Sequence, residues 1–183
     1  MPNTTQNHIP TIVYVEDNAG DAILLEEALR ERNHAAQLVV IDQGDKALHY
    51  FKMKETARDL PPPHCILLDA HLPLVTGGQL LRFLRASRVY DDTPVYLFAP
   101  ERDYADIRQT GLVSKESFIT KATNWDGMLQ LADLLMSSAH AKDQQTPASA
   151  TDSRPEVHAE GVLRRHDTKE ERRRVEAGPG EPT

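Results

Sequence analysis

Five short apolar stretches punctuate the chain: Thr11-Ile12-Val13-Tyr14-Val15, Leu38-Val39-Val40-Ile41, Cys65-Ile66-Leu67-Leu68, Val95-Tyr96-Leu97-Phe98 and Ser117-Phe118-Ile119. Each has strand length, and near-continuous apolar runs of this kind suit strands buried on both faces. Between and after them the period changes to that of a helix. Ala22, Leu25 and Leu29 share one face, then Ala47, Leu48 and Phe51, then Leu80, Leu81 and Leu84. Arg102 to Gln109 forms a weaker pattern anchored by Tyr104 and Ile107, and a last helix presents Met128, Leu131, Ala132 and Leu135 behind Asn124 as its cap. Asn33-His34, Gly44, Pro61-Pro62-Pro63, Gly77-Gly78 and Gly111 break the pattern between elements. Regular strand–helix alternation predicts an α/β fold: a five-stranded parallel sheet with helices on both faces and right-handed crossovers.

What stands where the strands stop gives the chemistry. The first strand ends in Glu16-Asp17, the third in Asp69, the fourth in Ala99 and the fifth in Lys121. The carboxyl edge of an open α/β sheet is where ligands bind. Taken alone, Asp69 reads equally well as a turn cap before Pro73 and Gly77. Three carboxylates on one rim repel each other, and such a cluster persists at neutral pH with a divalent cation or by taking up a proton. Hard carboxylates with loop carbonyls suit Mg²⁺. His71 stands alone, so its ring reads as a turn residue rather than a ligand. Lys121 is a point-charge partner for an anion, phosphate above all, or it simply pairs with the acids. An aspartate flanked by a cation and a lysine is able to act as a nucleophile toward phosphorus.

Composition adds bounds. The 183 residues include 39% hydrophobic and 5% aromatic residues, enough for one modest core. A net charge of −7 does not indicate wholesale nucleic-acid or membrane binding. Cys65 is the single cysteine and lies in an apolar run, as a packed, reduced thiol would. No apolar segment opens the chain as a signal peptide would, so a cytoplasmic protein is expected. From about His140 the tail holds 8 Lys and Arg against 9 Asp and Glu, with few large apolar residues. Residues 1–10 are expected to be a flexible N-terminus, 11–138 the folded domain, and 139–183 a disordered, charge-mixed tail in which Glu156 to Ala177 forms at most a transient helix. Its clusters Arg164-Arg165 and Arg172-Arg173-Arg174 are interleaved with glutamates, the pattern of a solvated tail.

With acids after strand one, Asp69 after strand three, Pro73 and Gly77 at their spacing behind it, and Lys121 after strand five, the chain resembles the receiver domains of two-component response regulators. The run Val15-Glu16-Asp17-Asn18 with Asp21, and the long insert before strand three, are similar to the single-domain regulators associated with phytochromes. The resemblance covers roughly Thr11 to Ser138. It implies a flavodoxin-like fold with strand order 2-1-3-4-5, and a phosphorelay function in which a histidine kinase phosphorylates Asp69 with Mg²⁺. It further implies that Asp17 binds the metal directly with Asp69, Glu16 acts through water, the His71 backbone carbonyl is a further ligand, and Lys121 contacts the phosphoryl group. Phe118 matches the aromatic position that responds to phosphorylation. The implied partners are a sensor histidine kinase of the bacteriophytochrome kind and a second copy of the chain, joined along the strand-four to helix-five side. Neither DNA nor a membrane is an expected partner, and the chain is not expected to be an enzyme beyond accepting the phosphoryl group.

Two departures bear on switching. Ala99 stands where the family usually has a Thr or Ser hydroxyl. Ala122 stands where it usually has a proline in a cis bond; before alanine a cis bond costs about 2.5–4 kcal/mol, so a trans bond and a differently aimed Lys121 are expected. A phosphorylatable receiver that switches weakly is the leading expectation, and a degenerate receiver serving as a phosphorylation-independent binding module is its rival. An aspartyl-nucleophile phosphatase would need an acid two residues after Asp69, where His71 stands.

Overall fold

A computed structural model describes residues 9–57, 60–111, 113–122 and 124–145. Strands β1 (Thr11–Val15), β2 (Gln37–Ile41), β3 (Cys65–Asp69), β4 (Val95–Ala99) and β5 (Phe118–Thr120) form one parallel sheet in the order β2-β1-β3-β4-β5. Helices α1 (Ala19–Glu31), α2 (Gly44–Thr56), α3 (Gly77–Ala86), α4 (Tyr104–Gln109) and α5 (Trp125–Gln145) follow the strands in turn. This is the flavodoxin-like arrangement expected.

The two faces explain why the central strands do not alternate in hydrophobicity. Ile12 and Tyr14 of β1, with Cys65 and Leu67 of β3, pack against Leu25 of α1 and Leu131 and Leu135 of α5. Their neighbours Val13, Val15, Ile66 and Leu68 pack on the opposite face against Phe51 of α2 and Leu80 and Leu84 of α3. Both sides of β1 and β3 are thus dry, and every position prefers an apolar residue until the strands reach the edge. In register, Val15 lies beside Leu68, so Glu16 and Asp69 emerge next to each other. Cys65 is buried, and burial pushes its thiol up to about 12, in keeping with an inert packed cysteine.

Several boundaries differ from the sequence expectation. α1 begins three residues before the apolar pattern does, because the Asn18 side chain accepts the Gly20 N–H at 2.9 Å and caps the helix. β5 is displaced by one residue, and a 3-10 turn over Glu101–Asp103 precedes α4, which has no fully buried residue. Pro10 is buried and its carbonyl accepts the Gln37 N–H at 2.8 Å, so order begins before Thr11. α5 runs past Ser138: Ala139 is fully buried, and Lys142 Nζ donates to the Pro63 carbonyl at 2.8 Å and to the Thr93 hydroxyl at 2.5 Å. These bonds tie the end of α5 to the loops that precede β3 and β4. Residues 1–8 and 146–183, with the expected transient helix and arginine clusters, lie outside the described residues. Among the described residues no helix is long and apolar enough to cross a membrane.

Ending the chain after Gln145 is expected to leave a cooperatively unfolding domain, whereas ending it after Ser138 removes Ala139 and Lys142 and costs about 1–3 kcal/mol. Thermal unfolding of the two truncations measures this; equal midpoints would show that the last two turns contribute nothing.

Candidate functional site

The carboxyl edge of β1 and β3 carries the charged cluster. Glu16 is 1% exposed and Asp69 4%, although both stand at strand ends. Glu16 Oε2 accepts from the Tyr14 hydroxyl at 2.8 Å and from Lys121 Nζ at 2.9 Å, while Oε1 accepts the Asn18 N–H at 3.1 Å. Asp69 Oδ1 accepts the His71 N–H at 2.9 Å and Oδ2 accepts from Lys121 Nζ at 2.6 Å. Lys121 Nζ makes a third bond, to Asp21 Oδ2 at 3.2 Å, and lies 5.3 Å from the centre of the Phe98 ring.

The titration of these groups follows from burial set against pairing. Burial raises Glu16 above the usual carboxylate range, against the pull of hydrogen bonds from Lys121 and Tyr14. Burial also disfavours the Lys121 charge, but hydrogen bonds to Asp69 and Glu16 outweigh it and hold the amine above its ordinary value. Lys121 is therefore cationic at neutral pH. Burial, then the Glu16 charge, keep Tyr14 protonated as a donor.

Glu16, Asp17 and Asp69 each offer a carboxylate oxygen, and the three oxygens lie within 4.8 Å of one another. Such a hard oxygen set fits a divalent cation of the Mg²⁺, Ca²⁺ or Mn²⁺ type. Asp17 is exposed, so a cation would be reached from solvent.

The loop after Asp69 is shaped by backbone contacts. A side chain at Gly77 would collide with the Asp69 carbonyl oxygen, so only glycine lets α3 start directly over the acid. Thr76 caps α3 in a reciprocal box with Gln79. Leu74 bridges the turn at φ 65° with its side chain 80% exposed, a left-handed residue that nothing in the sequence announced. The His71 ring turns away from the acids and meets Asp103 Oδ2 at 2.7 Å, so it is not among the groups facing Asp69.

The remaining predicted positions fall at the same edge. Ala99 ends β4, fully buried, and its carbonyl accepts the Lys121 N–H at 2.8 Å. Lys121, expected to be differently aimed because Ala122 follows it, reaches Asp69 directly. Phe118 is half-buried, its ring 4.8 Å from that of Tyr104 on α4. Three contacts went unread in the sequence. Asp21 pairs with Lys121; Glu101 accepts from the Thr120 hydroxyl at 2.5 Å; Asp103 holds His71. Asp21 alone left a signal, as a third acid one turn beyond the Glu16-Asp17 pair.

No family model matches the chain. Among curated proteins, the response regulator Rcp1 of Synechocystis sp. is 22% identical over 120 residues, covering 66% of this chain and 82% of that protein. A solved structure of Rcp1 in its Mn²⁺-bound form is 23% identical and covers 70% of this chain and 92% of that one, with a TM-score of 0.58. The bacteriophytochrome response regulator AtBRR is 27% identical and covers 72% and 94%, with a TM-score of 0.57. The phosphorylated cyanobacterial phytochrome response regulator RcpA is 24% identical and covers 79% and 98%, with a TM-score of 0.61. The described part thus shares its fold with response regulator receiver domains, and its curated relatives are response regulators. In this chain the acids, the lysine and the loop after β3 converge on one edge, and Ala99 places a methyl group at the end of β4.

Replacing Lys121 by alanine leaves Glu16 and Asp69 buried beside each other without a cation, which is expected to cost about 3–5 kcal/mol. Millimolar Mg²⁺ is expected to raise the unfolding midpoint of the wild type and to recover part of that loss. Scanning calorimetry with and without the ion decides; a Lys121→Ala midpoint equal to wild type in both conditions would remove the charge account of this cluster.

Proposed function

We propose that this chain is a single-domain response regulator of a two-component phosphorelay, accepting a phosphoryl group from a histidine kinase on Asp69 with Mg²⁺. The observation that carries this reading is the meeting of Asp69 Oδ2 with Lys121 Nζ at 2.6 Å, beside carboxylate oxygens of Glu16 and Asp17. Asp17 and Asp69 would hold the cation directly, Glu16 through water and His71 by its backbone carbonyl, and the bound ion would offset the charge of the acids and of the incoming phosphoryl oxygens.

Asp69 supplies the nucleophile. A carboxylate oxygen forms the new bond to phosphorus, the P–N bond of the donor phosphohistidine breaks, and its electron pair stays on the imidazole nitrogen. Lys121, already cationic, follows the negative charge that moves onto the phosphoryl oxygens. The His71 N–H holds the other carboxylate oxygen and fixes the orientation of the acid.

The phytochrome-associated relatives support a bacteriophytochrome-type sensor kinase as the donor, which would place the chain in the cytoplasm. A homodimer along the β4 to α5 side finds support in Trp125 and Leu134, large apolar side chains left exposed on α5. Output then runs through protein surfaces rather than DNA. Because Ala99 offers no hydroxyl to the phosphoryl group, the pull on the loop after β4 lacks a hydrogen bond worth about 1.5–3 kcal/mol, and Phe118 and Tyr104 respond weakly.

Incubation with acetyl phosphate and Mg²⁺ is expected to label wild type and not Asp69→Asn; an unlabelled wild type would sink the proposal. Ala99→Thr is expected to enlarge the phosphate-dependent chemical-shift changes at Phe118 and Tyr104. Unchanged shifts in that variant would refute the role given to Ala99.

A further inference from the structure

The lysine at the rim is held by one more acid than the chemistry of a cation and an acceptor requires. An ammonium group has three N–H donors, and those of Lys121 are all engaged: by Asp69 at 2.6 Å, Glu16 at 2.9 Å and Asp21 at 3.2 Å. The first two acceptors have a second claim on them, because Glu16 and Asp69 belong with Asp17 to the group of oxygens able to surround a cation. Asp21 is not in that group. It sits in the first turn of α1, where the Asn18 cap fixes the backbone, and its side chain is 28% exposed. Among the described residues its carboxylate pairs with the lysine.

We propose that Asp21 is a positioning residue for Lys121, holding the amine at the rim when a cation and a phosphoryl group engage Glu16 and Asp69. In the structure the three carboxylates share the lysine. When two of them turn to a cation, an amine held by those two alone would lose its geometry. Asp21 keeps one bond in place, so the amine stays within reach of Asp69. The side chain that carries it has four rotatable bonds and would otherwise sample many positions. This role rests on the phosphoacceptor reading of Asp69, but part of its test does not.

The side-chain ammonium resonance of Lys121, assigned by its loss in Lys121→Arg, is observed while hydrogen bonds slow its exchange with water. With Mg²⁺ added to the full-length chain, wild type and Asp21→Glu are expected to keep this signal and Asp21→Asn to lose it. A signal that survives in Asp21→Asn overturns the proposal. In acetyl phosphate labelling, Asp21→Asn is expected to lower the maximal rate about tenfold while the half-saturating Mg²⁺ concentration stays within about twofold, with Asp21→Glu recovering most of the rate. A raised Mg²⁺ requirement at unchanged maximal rate makes Asp21 part of the cation site, and faster labelling makes it a source of repulsion; either result overturns the proposal. A wild type that takes no phosphate refutes the acceptor reading, and the Lys121 resonance then decides on Asp21 by itself.

Discussion

One amine holds the carboxyl edge of this sheet together. Glu16 and Asp69 are carried to the ends of adjacent strands by a register set far below them, in the apolar layers of β1 and β3. Burying two like charges side by side would split those strands at the edge. Lys121, delivered from β5 across the sheet, makes the arrangement affordable at neutral pH. Its cationic state is maintained by the acids it neutralises, so each charge depends on the others. The strand order is therefore more than a packing solution. It brings the cation to acids that lie 52 and 105 positions earlier in the chain.

The architecture was legible because burial on both faces leaves an unmistakable mark: strands without alternation, ending where polar chemistry begins. Glu16, Asp17, Asp69 and Lys121 could be read as one site because each ends such a run. Element boundaries were less legible where side-chain bonds, not periodicity, decide them. Asn18 starts α1 over Ala19 and Gly20, which add no apolar face, and Lys142 extends α5 through contacts with loops nearly fifty and eighty positions earlier. The turn at Leu74 was invisible for a different reason. A leucine at positive φ contradicts local preference and is imposed by the contacts on either side, with Gly77 laid over the Asp69 carbonyl.

The contacts that tie loops to one another were also unreadable in sequence. His71 and Asp103 lie 32 positions apart, Glu101 and Thr120 19, and neither pair belongs to a recognisable spacing. They become neighbours only because parallel strands deliver all their following loops to one edge. Ala99 could be read from the sequence, but not the fact that the loop after it is held by Glu101 and Asp103.

That loop is fastened on both sides. Glu101 binds the end of β5 and Asp103 binds the turn after β3, so displacing the segment between β4 and α4 means breaking two hydrogen bonds. At about 0.5–1.5 kcal/mol each, the pair biases the equilibrium by about 1–3 kcal/mol, a factor of about 5–150 in population. A displaced form that would be a common excursion in an untethered loop becomes a rare one.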